Sequence, residues 1–499
     1  MNLALAFADS AEKNSSKPAL FWGDAEFSYT QLWAQSLAVA EFLKSEFSLK
    51  PGDRVGIWLK NCPQFVPALF GILQVGCVAT PINNFLKPDE TNYILADAEI
   101  DLIISDESMA DNVAKLRELR PCLKCLRVED FPQLRPTDQV SRVLTAQATC
   151  IESDLAVLIY TSGTTGRPKG AMLSHGNLLH NVESCRRVLQ AVGDDRIVLL
   201  LPMFHSFMLC VGVLLPLLVG GSIVLIKSVH PPKNLVQDII HSHATILPAV
   251  PQLFRTLMHA SIPAELPLRL CISGAAPLPH EISREFSEKF AMPLLEGYGL
   301  SEASPVVSFN PLDRQKPGSI GKPIYDVEVS IQDDAGKILA PMETGEVCVR
   351  GGNVMQGYWK QPAETARTMR GDWLLTGDIG HCDDEGYFFI TDRKKDMLLV
   401  NGINVYPREI EEVIYQFPGV REAAVIGVPS ARKGELPLAF VSAKEGVMLD
   451  EKTLLQFVRE KLADYKVPKK VVVLSALPRN PTGKILKTAL REMAQHSNL

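Results

Sequence analysis

The chain has 499 residues, of which 46% are hydrophobic and 22% charged, so it can form about two to four units with sizeable apolar cores. Its net charge of −6 argues against a general nucleic-acid binder. The ten cysteines are scattered along the chain, which argues against a disulfide framework and favours reduced thiols in the cytoplasm.

Short apolar segments alternate with helical patterns over roughly the first 300 residues. Helical patterns cover residues 30–46 and 175–189. The segments that predict strands are RVGIWL before Lys60, DLIIS, AVLIY before Thr161, RIVLLL, and LRLCIS before Gly274. This alternation predicts an α/β fold with doubly wound, mostly parallel sheets that are covered by helices.

Residues 207–226 carry no formal charge and are long enough to cross a membrane. Pro216 and the pair Gly220 and Gly221 divide them, so we predict a buried helix, a glycine turn and a buried strand instead. The N-terminal segment has no basic region before its short apolar run, so we expect no signal peptide. We predict no transmembrane segment and leave contact with a membrane surface open.

The sequence changes character twice after Pro311. The segments VEVSIQD, GEVCVRG and GYFFITD alternate with turn residues, which predicts a small β-barrel over about residues 312–392, at the end of a large N-terminal domain (residues 1–392). Residues 393–499 predict a smaller α+β domain, and the short charged junction at residues 392–395 favours a hinge over a long linker. From Arg393 onwards there are 18 Lys and Arg against 12 Asp and Glu, which fits a polyanionic ligand and a solvated surface equally well.

The segment TSGTTGRPKG follows a predicted strand and precedes a helix that we predict to begin near Ser174. A glycine loop between a strand and a helix presents backbone N–H groups to phosphate. Lys169 adds a charge that suits a leaving pyrophosphate. The other phosphate-binding residues of this loop are Thr161, Ser162, Gly163, Thr164, Thr165 and Gly166. The spacing is not that of a Walker A loop, so the loop alone indicates only a phosphate site.

Further motifs follow the loop in order. They are EGYGLSEASP from Glu296, TGDIG from Thr376, DRKKDMLLVNGINVYPREIEE from Asp392, and NPTGK ending at Lys484. Together with the loop they resemble the acyl-adenylating, AMP-binding superfamily over essentially the whole chain. GYGLSEASPVVSFNP and NGINVYPREIEE are most similar to medium- and long-chain fatty acyl-CoA ligases.

This resemblance implies a role for each matching residue. Tyr298 would stack on adenine, and Asp378 and Arg393 would bind the ribose. Ser301 would contact the α-phosphate, while Glu302 and Thr161 would hold Mg²⁺, a cation that prefers oxygen ligands. The remaining implied cofactor-binding residues are Gly274, Ala275, Ala276, Glu296, Gly297, Gly299, Lys395, Asn401 and Gly402.

The implied catalytic residues are His205, Lys169, Glu302 and Lys484. A cation at Lys484 would bridge the carboxylate and the α-phosphate in the first reaction. His205 would stand at the mouth of an acyl tunnel, although a lone histidine in an apolar stretch is often a core residue. The C-terminal domain would then rotate about Lys395 and bring Asn401 and Gly402 to the incoming pantetheine.

The resemblance implies a ligase that uses ATP, Mg²⁺ and coenzyme A to convert a fatty acid to acyl-AMP and then to acyl-CoA. An acyl carrier protein as acceptor, an aryl acid as substrate and an inactive nucleotide- or acyl-binding regulator remain alternatives. The apolar stretch at residues 207–218 fits a tunnel and core packing equally well. We expect a cytoplasmic monomer or homodimer without nucleic-acid partners.

Overall fold

The computed structural model describes residues 1–134, 150–161, 167–229, 231–259, 266–290, 292–401, 403–430, 434–480 and 483–496. The helices in these ranges are α1 (Leu3–Lys13), α2 (Tyr29–Phe47), α3 (Phe65–Gln74), α4 (Pro88–Asp97), α5 (Ala110–Leu119), α6 (His175–Val188), α7 (Leu215–Val219), α8 (Pro232–His241), α9 (Pro251–His259), α10 (His280–Phe290), α11 (Pro362–Thr368), α12 (Pro407–Tyr415), α13 (Glu451–Lys461) and α14 (Lys487–His496). The strands are β1 (Pro18–Trp22), β2 (Ala25–Ser28), β3 (Arg54–Trp58), β4 (Val78–Pro81), β5 (Leu102–Ser105), β6 (Lys124–Arg127), β7 (Leu155–Thr161), β8 (Lys169–Ser174), β9 (Arg196–Leu199), β10 (Ser222–Leu225), β11 (Ile246–Ala249), β12 (Leu270–Ser273), β13 (Leu294–Gly299), β14 (Val306–Phe309), β15 (Lys322–Pro323), β16 (Val327–Gln332), β17 (Gly345–Gly351), β18 (Met369–Arg370), β19 (Trp373–Cys382), β20 (Phe388–Arg393), β21 (Leu398–Val400), β22 (Ile403–Val405), β23 (Val420–Ser430), β24 (Gly434–Ala443) and β25 (Val471–Leu474).

Within the described ranges, the largest sheet has nine strands in the order β15-β14-β13-β12-β11-β9-β10-β1-β2. Its centre, from β13 to β1, is parallel, and antiparallel strands are added at both edges. The central strands β10 and β12 are buried along their whole length. Complete burial is expected of parallel strands that have helices on both faces.

The second sheet has the order β6-β5-β3-β4-β7-β8 in the described part of the chain. Its pairs are parallel except β7 with β8. Helix α3 is buried over all ten of its residues and shares one apolar core with α1 and α2. A helix that is apolar on every side belongs in such a core. The predicted doubly wound α/β architecture is confirmed.

Two smaller sheets follow in the described residues after β15. The sheet β16-β17-β19-β18, with β20 on β19, is antiparallel and forms a curled half-barrel at the place where the sequence predicted a small barrel. The last sheet, β22-β21-β24-β23 with β25 parallel to β24, packs with α12, α13 and α14. The predicted fold class is confirmed, while the domain boundary at residues 392 and 393 stays a prediction.

The uncharged stretch 207–226 has the predicted form of a buried helix, a glycine turn and a strand. Its helical part is a π-helix at Met208–Leu214 that continues into α7. Gly220 then adopts a φ of 82°, the left-handed conformation that glycine favours after a helix, and β10 follows. None of the helices in the described ranges has both the length and the apolar composition that a membrane span requires.

Three polar side chains connect the amino ends of neighbouring strands in the largest sheet. Asp195 precedes β9, Thr245 precedes β11 and Arg269 precedes β12. The Asp195 carboxylate is 3% exposed and accepts from Arg269 Nε at 2.8 Å, Arg269 Nη2 at 2.7 Å and Thr245 Oγ1 at 2.7 Å. Burial alone would raise the pKa of Asp195, but these hydrogen bonds and that from the Val192 N–H outweigh it, so the pKa is lowered. This group of contacts joins the amino ends of β9, β11 and β12.

We predict that Asp195→Ala lowers the free energy of unfolding by about 3 kcal/mol, because it leaves a partly buried guanidinium without its carboxylate. Urea denaturation followed by tryptophan fluorescence measures this difference. Asp194→Ala is the matched control, since the Asp194 side chain is fully exposed, and it should change the stability by less than about 0.5 kcal/mol. Equal effects of the two variants would contradict a structural role for the contact.

Candidate active site

The predicted phosphate loop connects two antiparallel strands. Thr161 ends β7 and pairs in register with Lys169, which begins β8. The helix predicted to begin near Ser174 is confirmed, because Ser174 is the N-cap of α6, but the sequence did not predict strand β8, which lies between the loop and α6. Residues 169–174 form a strand because their apolar side chains, such as Ala171 and Leu173, enter the core beside β7. Ser162, Gly163, Thr164, Thr165 and Gly166 lie outside the described residues.

The two residues predicted to hold magnesium lie side by side. The Thr161 hydroxyl donates to Glu302 Oε1 at 3.3 Å, and the Tyr358 hydroxyl donates to the same oxygen at 2.8 Å. A carboxylate next to a hydroxyl offers the hard oxygen ligands that suit Mg²⁺, which commonly takes one or two protein carboxylates and completes its shell with phosphate and water. The residues present fit this cation.

Tyr298, Asp378 and Arg393 form a hydrogen-bonded group at the junction of β13 with the curled half-barrel. Tyr298 Oη donates to Asp378 Oδ2 at 2.6 Å, and Arg393 Nε donates to Oδ1 at 2.9 Å. Asp378 is 4% exposed and lies opposite Arg393 in the β19–β20 ladder. Burial raises the pKa of the Tyr298 hydroxyl well above its usual value, and the Asp378 charge adds to this rise. The phenol thus stays protonated and donates to the carboxylate.

Lys169 lies in the same region and is almost completely buried. Its ammonium forms an ion pair with Glu364 at the start of α11 and lies 5.5 Å from the Tyr358 ring centre. Arg367 also pairs with Glu364. A buried lysine requires such a counter-charge. The predicted partner of Lys169, pyrophosphate, would compete with the Glu364 carboxylate for this cation.

His205 lies between β9 and the π-helix. Its Nδ1 accepts from the Phe207 N–H at 3.2 Å, and the neighbouring Ser206 hydroxyl is 2.9 Å from the Ser301 hydroxyl. Burial and, as the smaller cause, the nearby Lys484 cation lower the pKa of His205 to about 4. The imidazole is therefore neutral near pH 7 and offers a polar, uncharged wall.

Lys484 reaches the same place from the C-terminal part of the chain. Lys484 is exposed to solvent at the cavity, but protein groups around its ammonium displace much of the water that would solvate the charge. This desolvation, together with the Arg393 and Lys395 cations, lowers the pKa of the Lys484 ammonium to about 8. The pKa of Lys395 is also lowered by burial and by Arg393. Several positive groups thus crowd one cleft, as expected where an anion binds.

These side chains line one cavity of about 670 Å³. It brings together thirteen of the predicted residues: Thr161, Lys169, His205, Gly274, Ala275, Gly297, Tyr298, Gly299, Ser301, Glu302, Arg393, Lys395 and Lys484. Gly299 requires its lack of a side chain, because a Cβ atom there would collide with the carbonyl oxygen of Pro305. Asp378 stands behind this wall, with Tyr298 and Arg393 in front of it.

Four described residues of the predicted set, Asp378, Ala276, Asn401 and Glu296, do not line the cavity, and the roles of the whole predicted set stay predictions. Ala276 lies just beyond Ala275. Asn401 is exposed, with a φ of 52°, at the turn between β21 and β22, and Gly402 lies outside the described residues. Glu296 is 6% exposed, accepts from the Leu278 N–H at 3.2 Å and lies 3.9 Å from Arg408. Burial raises the pKa of Glu296 to about 7, although Arg408 opposes the rise.

Sequence reasoning missed several lining residues. Tyr358 and Glu364 contact Glu302 and Lys169, and Ser206 contacts Ser301. Tyr358 and Glu364 belong to the segment GYWKQPAET. Its turn residues and aromatics do not indicate which distant residues these two side chains contact. Their partners are 56 and 195 residues away along the chain. A signal for Ser206 was present, since it adjoins His205.

Residues 7–359 match the family described as AMP-binding enzyme, and residues 409–484 match the AMP-binding enzyme C-terminal domain. A long-chain-fatty-acid–CoA ligase of Bacillus subtilis is 36% identical, covering 97% of this chain and 93% of that protein. A feruloyl-CoA synthase of an Amycolatopsis species is 35% identical, covering 94% of each chain.

A solved structure gives the same result for the fold. The crystal structure of ATP-bound MatB from Rhodopseudomonas palustris is 33% identical, covers 99% of each chain and has a TM-score of 0.89, whereas the apo form of MatB has a TM-score of 0.76. The resemblance found in the sequence motifs is confirmed. The chain belongs to the AMP-binding enzyme family.

Proposed function

We propose that this protein is an AMP-forming acid–thiol ligase that activates a fatty acid with ATP and transfers the acyl group to coenzyme A. One observation carries the proposal. Lys484, from the C-terminal part of the chain, lines the same cavity as Thr161, Glu302 and His205 from the N-terminal part. Cations and a hard-oxygen pair around one cleft suit a reaction in which a carboxylate meets a triphosphate.

In the first reaction, a carboxylate oxygen of the acid attacks the α-phosphorus, and the bond from that phosphorus to the pyrophosphate breaks. Lys484 neutralises charge on the carboxylate and the α-phosphate, while Lys169 attracts the departing pyrophosphate. Thr161 and Glu302 would hold Mg²⁺, which screens the phosphate charges. The neutral His205 orients the acid without adding charge. Tyr298, Asp378 and Arg393 position the nucleoside.

In the second reaction, the thiol sulfur attacks the acyl carbon of the mixed anhydride, and AMP leaves. Lys484 has no role in that step, so a second arrangement of the C-terminal part, reached by rotation about Lys395, would bring Asn401 and Gly402 to the site. Lys395 lies in a turn closed by hydrogen bonds from the Asp396 and Met397 N–H groups to the Arg393 carbonyl. The greater similarity to ATP-bound than to apo MatB supports assigning the present arrangement to the first reaction.

The identity of the acid is supported by relatives and by the cavity wall. Curated relatives that cover nearly the whole chain are long-chain-fatty-acid–CoA ligases. Apolar lining from Phe207, Leu300, Val306 and Phe309 suits an alkyl chain. A feruloyl-CoA synthase at 35% identity favours an aryl acid as the second candidate. The named activity of these relatives supports coenzyme A as the acceptor. An acyl carrier protein as a partner, a cytoplasmic location, and a monomer or homodimer stay predictions.

Steady-state thioester formation across acids and acceptors separates these candidates. We predict a higher kcat/KM for long- and medium-chain fatty acids than for ferulate, because Phe207, Leu300, Val306 and Phe309 give an alkyl chain apolar side chains to contact. Coenzyme A should serve as acceptor at least as well as a loaded carrier protein. A kcat/KM that is higher for ferulate would replace the fatty acid in the proposal.

We predict that Lys484→Ala slows acyl-adenylate formation about 100-fold or more, since it removes a preorganised cation from the reacting charges. Thioester formation from supplied acyl-AMP should remain within about threefold of the unchanged enzyme, because the lysine has no role there. Pyrophosphate release and acyl-CoA formation measure the two steps separately. Lys452→Ala, an exposed position on α13, is the control. An equal loss in both steps would contradict the assignment.

The first reaction should also lose rate as the pH rises through about 8. The Lys484 ammonium, with a pKa of about 8 in the free enzyme, is a cation below that pH and neutral above it. The kcat/KM for adenylate formation reports groups of the free enzyme, so its alkaline limb should lie near pH 8. Lys484→Arg should remove this limb, because arginine stays charged. The same limb in both enzymes would assign it to another group.

A further inference from the structure

The loop that carries Lys484 is closed on itself by hydrogen bonds. The Asn480 N–H donates to the Lys484 carbonyl at 2.9 Å, and the Lys484 N–H donates to Asn480 Oδ1 at 2.8 Å. The Gly483 N–H donates to the Asn480 carbonyl at 2.9 Å, and Arg479 pairs with Ile485 in a short antiparallel bridge. These bonds join the described residues 479–480 to residues 483–485, and Ile485 packs against the apolar cluster formed with β23 and β24.

Arg479 adds a polar contact between Gly483 and strand β23. Its Nη1 donates to the carbonyl oxygen of Gly483, the residue before Lys484, and its Nη2 forms an ion pair with Glu422 Oε1. The planar guanidinium can serve two acceptors in fixed directions at once. One side chain thus connects the backbone next to Lys484 with the interior of the C-terminal sheet.

Glu422 is a suitable anchor for this arginine. It lies on β23, is 4% exposed, and accepts from the Ser442 hydroxyl at 3.2 Å through its second carboxylate oxygen. The Arg421 Nε donates to the same hydroxyl at 3.3 Å. A buried carboxylate that has a partner on each oxygen has little freedom to move.

The N-terminal part of the chain contacts this arrangement from the other side. The Arg255 guanidinium on α9 donates to the carbonyl oxygen of Arg421, immediately before Glu422. The Val250 side chain, just before α9, lies near Gly483, since a Cβ atom added at Gly483 would be 3.7 Å from Val250 Cγ2. Contacts between the N-terminal and C-terminal parts of the chain therefore lie next to both Glu422 and Gly483.

We propose that Arg479, held by Glu422, is a positioning residue that places Lys484 for acyl-adenylate formation. The proposal rests on the function proposed above and names a residue outside the cavity that the reaction requires. Lysine has a long, flexible side chain, so its ammonium is placed accurately only if its backbone is fixed. A displacement of about 1 Å at a reacting centre can cost about 100-fold in rate.

The test measures the two half-reactions of Arg479→Gln in the full-length protein. Pyrophosphate release should fall about 100-fold, while acyl-CoA formation from supplied acyl-AMP stays within about threefold of the unchanged enzyme. Arg479→Lys keeps the ion pair with Glu422 but loses the planar guanidinium. Its rate of pyrophosphate release should therefore lie between those of the unchanged enzyme and Arg479→Gln. Arg459→Gln, an exposed arginine on α13, is the matched control and should change neither step.

Glu422→Gln supplies an independent measurement. If Glu422 acts only through Arg479, the double variant Glu422→Gln, Arg479→Gln should lose no more adenylation rate than the worse single variant. Multiplied losses would mean that the two residues act separately and would overturn the proposal.

Two other outcomes would also overturn it. Pyrophosphate release that is unchanged in Arg479→Gln excludes positioning by this residue. Equal losses in both half-reactions, together with a lower melting temperature, would mean that Arg479 and Glu422 only stabilise the fold. If Arg479→Gln does not fold, the same two half-reactions are measured in Arg479→Lys instead. If the protein without any substitution forms no acyl-adenylate, the proposed function itself is contradicted. This outcome is separate from any result on Arg479.

Discussion

Crowding of positive charge around one cavity is the constraint on which the rest of the site depends. Lys484, Lys395 and Arg393 face the same space, and the pKa of Lys484 is lowered to about 8 by desolvation and by its cationic neighbours. Such an arrangement costs free energy until an anion enters, so the cleft favours a triphosphate and a carboxylate together. Asp378 offsets part of this charge and is held by Tyr298 and Arg393.

The charged and polar groups of the cavity come from distant parts of the chain. The hard-oxygen pair Thr161 and Glu302 lies beside the two large sheets, whereas Lys484 arrives on a loop of the C-terminal sheet. That loop takes its position from Arg479 and Glu422 within its own unit and from contacts with α9. In the proposed mechanism, rotation about Lys395 would move Lys484 away together with Arg479 and Glu422, while Thr161 and Glu302 stay in place. The lysine would then be present for the first reaction and absent for the second.

Much of this could be predicted from the sequence, because strand and helix patterns and short motifs are local. The central strands, the glycine turn at Gly220 and the neighbourhood of Thr161 and Glu302 agree with prediction. Strand β8 was missed because a glycine loop before a helix resembles the usual phosphate-binding geometry, and only pairing with β7 distinguishes the two. Glu364 and the pair formed by Arg479 and Glu422 depend on contacts between distant segments, which no local pattern records.

Isotope exchange between pyrophosphate and ATP, without any thiol, tests the central claim most directly. The proposed chemistry predicts exchange that requires a fatty acid and magnesium, because only reversible acyl-adenylate formation returns labelled pyrophosphate to ATP. The same exchange should fall about 100-fold in Lys484→Ala. Exchange that proceeds equally without acid, or no exchange with any carboxylic acid, would contradict acyl-adenylate chemistry at this cavity.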